Sequence, residues 1–133
     1  MLGMASQYQT IYLKIFMIST TLFFALPIVL APLHWAKLMQ WQIPEDTHLA
    51  LYFGRCLGVF ILIVEWLMWR ASFFAEAATT TFQVLFGVFG GMLLLHIYGA
   101  IKKIQPITET LEIGFWLLLL IINTLCYPIS TSL

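Results

Sequence analysis

The chain has 133 residues, 62% of them apolar and 9% charged, and its six basic and six acidic side chains leave no net charge. A soluble domain carries roughly 25% charged residues, so this composition excludes a water-facing surface of ordinary solubility. Zero net charge, with no run of Lys or Arg, excludes the basic footprint of a nucleic-acid binder and a strongly electrostatic lipid clamp.

A membrane-crossing helix needs about 20 mostly apolar residues. Four stretches qualify, and the expected fold class is all-α, a single domain of four transmembrane helices. The first span covers about 11–31 and is closed by Pro27 and Pro32. It is too long for the apolar core of a cleavable leader and no small-residue cleavage site follows, so a retained helix is expected. The linker after it is the longest, and 33–41 is read as a short interfacial helix. Pro44, Glu45 and Asp46 then mark the start of a second span over about 49–69, where acids suit the positive helix end. A mildly polar linker, 70–80, leads to a third span over about 81–101. Lys102 and Lys103 follow, then Pro106-Ile107-Thr108-Glu109, another helix start. The fourth span covers about 111–130.

Trp and Tyr collect at membrane interfaces. With the N-terminal side called X, Tyr8, Tyr12, Trp66, Trp69 and Tyr127 fall toward X. Trp35, Trp41, Tyr52, Tyr98 and Trp116 fall toward the opposite side, Y. Lys37, Lys102 and Lys103, with Arg55 nearby, lie on side Y, against Lys14 and Arg70 on side X. Basic residues concentrate in cytoplasmic loops, so Y is expected to be cytoplasmic and both termini outside. The expected location is the inner (plasma) membrane of a bacterium.

Ionisable groups inside a span are costly and become functional candidates by default. Lys14, Arg55, Glu65 and His96 are those candidates. At 1.5 Å per residue, Arg55 and His96 lie roughly 6 and 7 Å from the midplane toward Y. Glu65 and Lys14 lie roughly 9 and 10 Å toward X. Arg55 is thus expected level with His96, and Glu65 level with Lys14 as its ion-pair partner. The first reading is structural pairing and snorkelling; the second is a ligand or proton site centred on Glu65. No metal or cofactor is expected. His96 has no second imidazole at its depth, because His34 and His48 lie in the first linker. Cys56 and Cys126 differ by about 12 Å in depth, beyond disulfide reach, and read as small apolar fillers.

Gly54 and Gly58 form one GxxxG pattern, Gly87 and Gly91 a second. Small residues at this spacing let helices approach closely. Tight packing of the second span on the third is expected, with homodimerisation as the alternative use. Gly3, outside the spans, is expected to tolerate a bulky side chain.

The run Tyr52-Phe53-Gly54-Arg55-Cys56-Leu57-Gly58, opening a span after a Pro-terminated first span, resembles the small bacterial four-helix proteins of the DoxX-like group. That resemblance implies a four-helix membrane plan and no particular mechanism. Small multidrug transporters also have four spans, but they place an essential carboxylate in the first, where this chain has none. The Arg- and Asn-bearing pattern of four-helix membrane glutathione-type enzymes is missing too.

No P-loop, GxSxG, HExxH or dinucleotide-binding glycine turn is present. The leading expectation is therefore a non-enzymatic accessory or bundle-forming subunit, whose partners are the bilayer and other membrane subunits or a second copy. The alternative is a binder or carrier of a hydrophobic small molecule, a lipid or quinone, held by Arg55, His96 and Glu65. A lipid-directed enzyme comes third: Arg55 and Glu65 are about 15 Å apart along one helix and cannot act together alone.

Overall fold

The computed structural model describes residues 2–129. Four helices are long and apolar enough to cross a membrane: Ser6–Leu30, His48–Phe73, Ala75–Lys102 and Ile107–Cys126. Within the first, α1 (Gln9–Thr20) passes through a π-helical segment, Thr21–Ala25, into α2 (Leu26–Leu30). Then come α3 (Pro32–Leu38), α4 (His48–Phe73), α5 (Ala78–Lys102) and α6 (Ile107–Cys126).

Pro27 does not end the first span. Proline cannot donate to the carbonyl four residues earlier, here that of Phe23, and its ring crowds that carbonyl. The π segment widens the helix at this point, as such bulges do. The Trp35 indole of α3 donates to the Phe23 carbonyl at 3.0 Å. The chain turns at Ala31, and α3 restarts with Pro32 at its first position, where a missing N–H costs nothing. At the other extreme α6 stops at Cys126, short of the expected position 130. Tyr127 precedes Pro128 and is extended (ψ 131°), the conformation that a following proline imposes.

Sequential helices pack as neighbours: the first span on α4, α4 on α5, and α5 on α6. The ring is completed by the N-terminal segment. The Gly3 and Ala5 amides donate to the Thr124 and Leu125 carbonyls at 2.9 and 2.8 Å. The two ends of the described chain therefore meet on one side, as an even number of spans requires. Gly3 stands at φ +70°, with the Ile129 side chain where a Cβ would sit. A bulky residue there is strained and crowded, contrary to the expectation of tolerance.

The core lies toward that same end, around Leu13, Met68, Phe82, Leu85 and Phe89. Two expected interface aromatics are partly buried against it instead. Tyr12 stacks on Phe16 and tilts against Phe82, with its hydroxyl 3.4 Å from Asn123 Oδ1. Trp116 packs between Phe89 and His96.

The glycines correct the packing scheme. Gly58 faces the first span and Gly54 the start of α3, rather than α5: a Cβ on Gly54 would meet Pro32, and one on Gly58 would meet Val29 and the Ala25 carbonyl. Gly87 and Gly91, with Gly90, have open space where a Cβ would be built. One GxxxG pattern thus holds the first two spans together. The other takes no part in packing within the described residues.

Candidate functional site

None of the four sequence candidates sits where depth alone puts it against a partner. Lys14 is exposed on the outer face of α1, with its ammonium 4.9 Å from the centre of the Phe73 ring. Arg55 is exposed on α4 and forms no ion pair among the described residues. Glu65 and His96 are buried, and each has a different partner from the one expected.

Glu65 lies on the inner face of α4. The π segment turns Thr21 toward it, and Thr21 Oγ1 is 2.7 Å from Glu65 Oε2. The same hydroxyl is 2.8 Å from the Met17 carbonyl, so one proton faces two acceptors. Glu65 Oε1 is buried with no hydrogen-bond partner. A buried polar oxygen left unpaired costs about 1–3 kcal/mol. The Glu65–Lys14 ion pair is not formed, because the two residues are on opposite faces of the packed helices. A Glu65→Gln, Lys14→Met double-mutant cycle in detergent is expected to be additive within about 0.5 kcal/mol, the behaviour of uncoupled sites. Recovery of stability in the double variant would contradict this geometry.

Glu65 also lines a cavity of about 230 Å³ at the centre of the four spans, open at its side. Its wall is almost wholly apolar. Six of its residues are aromatic: Phe16, Phe24, Phe60, Phe89, Phe115 and Trp116. Phe60, Leu57 and Phe115 are part-exposed and lie at the mouth. Trp116 Nε1 is buried as well.

On the far side of Trp116 lies the second buried ionisable group. His96 is 3% exposed, and its ring is 5.8 Å from that of Trp116. Its Nε2 stands 2.9 Å from Glu109 Oε2 and 3.4 Å from Glu112 Oε2. Nδ1 is 2.7 Å from the Met92 carbonyl one turn earlier. Glu109 Oε1 accepts from the Trp41 indole at 2.8 Å. Linkers close over this end of the bundle. Thr108 donates to the Met39 carbonyl, and Gln105 Nε2 donates to the His96 carbonyl and to Thr110. His96 has no second imidazole beside it, but α6 brings two carboxylates to it, ligating groups that the expectation of no metal left out of account. His96, Glu109 and Glu112 form the one group of three such side chains among the described residues.

The sequence marks Glu109 only as a helix-start acid and does not single out Glu112. The signal that locates both is the short turn between α5 and α6. His96 lies six residues before the end of α5, and Glu112 five after the start of α6. An antiparallel hairpin sets them level, and Glu109 shares a helix face with Glu112 at a spacing of three. Asn123, fully buried between α6 and α5, is also missed by reading charged groups alone. Its Nδ2 donates to the Phe82 carbonyl at 3.2 Å.

No protein-family model, curated protein or solved structure matches this chain.

Proposed function

We propose that this is a multi-pass protein of the bacterial inner membrane that binds a lipid-soluble molecule with a flat polar head, of the isoprenoid quinone kind. The observation that carries the reading is Glu65, which lines an apolar cavity and whose Oε1 is buried without a hydrogen-bond partner. Ligand sites combine such walls with few polar anchors. The aromatic lining favours a planar ring over an acyl chain, because rings stack and meet edge to face. A volume of about 230 Å³ suits a ring head, and the open side leaves a path for a long tail into the bilayer. In the reduced, quinol form a ring hydroxyl would donate to Glu65; the oxidised ring, which only accepts, would instead need Glu65 protonated to donate to its carbonyl. Arg55, facing outward, has no part in this site, and His96 is set apart from it by Trp116.

The test is purification of the full chain in mild detergent, followed by organic extraction and mass spectrometry. A quinone at near-stoichiometric amount is expected with the wild type. Glu65→Leu is expected to lower occupancy about tenfold, the value of one hydrogen bond of about 1.4 kcal/mol. Absence of any retained molecule, together with no gain in thermal stability on adding quinone, would overturn the proposal. Retention of phospholipid alone would do so too.

A second reading, association with another membrane subunit or a second copy, is favoured by the open Gly87, Gly90 and Gly91 face of α5. Glycines that pack nothing in the monomer permit close approach by another helix. The oligomeric state of a Gly91→Leu variant in detergent tests it: an unchanged assembly removes the glycine face from consideration.

A further inference from the structure

The geometry points to a divalent-metal site formed by His96, Glu109 and Glu112, suited to a borderline ion such as Zn²⁺ or a harder one such as Mn²⁺.

The argument begins with the imidazole. A carbonyl oxygen can only accept, so the 2.7 Å contact between Nδ1 and Met92 requires the hydrogen on Nδ1. In the neutral ring, Nε2 then presents a lone pair. That lone pair points at two carboxylate oxygens 2.9 and 3.4 Å away, so three acceptors converge on one point. Such convergence needs either a shared proton or a cation between the three atoms. An Nδ1–H bound to a backbone carbonyl is also the usual way a ligating histidine has its tautomer and ring orientation set.

The spacing agrees. With metal–ligand bonds of about 2.1 Å, neighbouring ligand atoms sit about 3.0 Å apart around an octahedral ion and about 3.4 Å around a tetrahedral one. The two separations from Nε2 lie in the range these geometries span without selecting one of them, and all three ligating atoms lie within 4.8 Å of one another. The outer contacts are in place as well. The Trp41 indole holds the second oxygen of Glu109, as outer groups orient ligating carboxylates.

Chemistry narrows the ion. One imidazole with two carboxylates mixes the preferences of Zn²⁺ and Fe²⁺ with those of Mn²⁺. Three protein ligands leave at least one position for water. No Lys or Arg pairs with Glu109 or Glu112 among the described residues, so a divalent ion would supply the charge that two carboxylates in a largely buried setting call for. Bound there, it ties α5 to α6 beneath the Trp41 linker. The site is separated from the cavity by Trp116 and stands whether or not a quinone binds.

The full chain, purified in detergent and stripped with a chelator, is titrated calorimetrically with Zn²⁺ and with Mn²⁺. One saturable site is expected. His96→Ala should weaken it by at least about 100-fold, and Trp41→Phe, which removes one outer contact, by about tenfold. Pulsed electron paramagnetic resonance of the Mn²⁺-loaded wild type needs no variant, and it should show coupling to a single imidazole nitrogen. Lack of saturable binding up to about 1 mM ion, or a bound ion without nitrogen coupling, would overturn the site. So would an imidazole that remains protonated at both nitrogens with Zn²⁺ in excess. His96 would then be an imidazolium paired with Glu109.

Discussion

Gly58→Leu is expected to destabilise the bundle by about 3 kcal/mol or more, the upper part of the range for overpacking a tight contact. A Cβ at Gly58 lands on the Val29 side chain and amide and within 3.2 Å of the Ala25 carbonyl. Two of these three contacts are backbone, which cannot swing aside as a side-chain end does. Relief requires α4 to move away from the first span, which would also open the cavity beside it. Gly54→Leu should follow in the same direction with a smaller effect. Its clash is with the Pro32 ring at 2.7 Å, at the edge of the same seam. Gly91→Leu should leave monomer stability unchanged, since nothing lies within 4 Å of where its Cβ would stand. Unfolding followed by SDS titration reads all three. Equal losses at Gly58 and Gly91 would mean that the two GxxxG patterns do the same job, contrary to the packing described.

The second large effect is expected at Asn123. Asn123→Leu keeps the branched shape, though with larger end groups, and removes the bond to the Phe82 carbonyl and the contact with the Tyr12 hydroxyl. Asn123 is wholly buried, and Tyr12 is partly buried against the core, in a span where water is scarce. Leaving a buried group unpaired costs about 1–3 kcal/mol. Interhelical hydrogen bonds within membranes reach only about 1.7 kcal/mol, so a loss near 2 kcal/mol is expected. Tyr12→Phe alone should cost less. The double change should recover part of the loss, because the stranded hydroxyl is gone. If the single losses simply add, the 3.4 Å contact contributes nothing and Asn123 acts through Phe82 alone.

The two effects fall on opposite sides of what the sequence makes legible. Gly54 and Gly58 are legible as a close-packing seam, because their spacing places both on one helix face. Their partner is not legible, since a helix face carries no address. Glu65 and His96 are legible as costly intramembrane groups. Matching depths suggest Lys14 and Arg55 as their partners. Depth gives a level along the bundle but no direction around each helix, and Lys14 and Arg55 turn outward. Glu65 instead meets Thr21 where the π segment rotates the first span, a local change driven by Pro27 six residues later. His96 meets Glu109 and Glu112, whose level can be counted through the α5–α6 turn.

By itself the sequence determined the class of the molecule: four long apolar helices, few charges, short linkers and ends on one side. These follow from composition and segment length, which act along the chain and need no knowledge of neighbours. Tertiary structure decided which faces of those helices meet. It set one glycine seam inside and left the other open. It turned two cations outward, left Glu65 facing an aromatic cavity, and brought one histidine and two carboxylates to a single point. The physical reason is rotational. Apolar residues surround each helix almost evenly, so lipid and protein compete for every face on nearly equal terms. Close steric fit and a handful of buried polar contacts then choose the orientation.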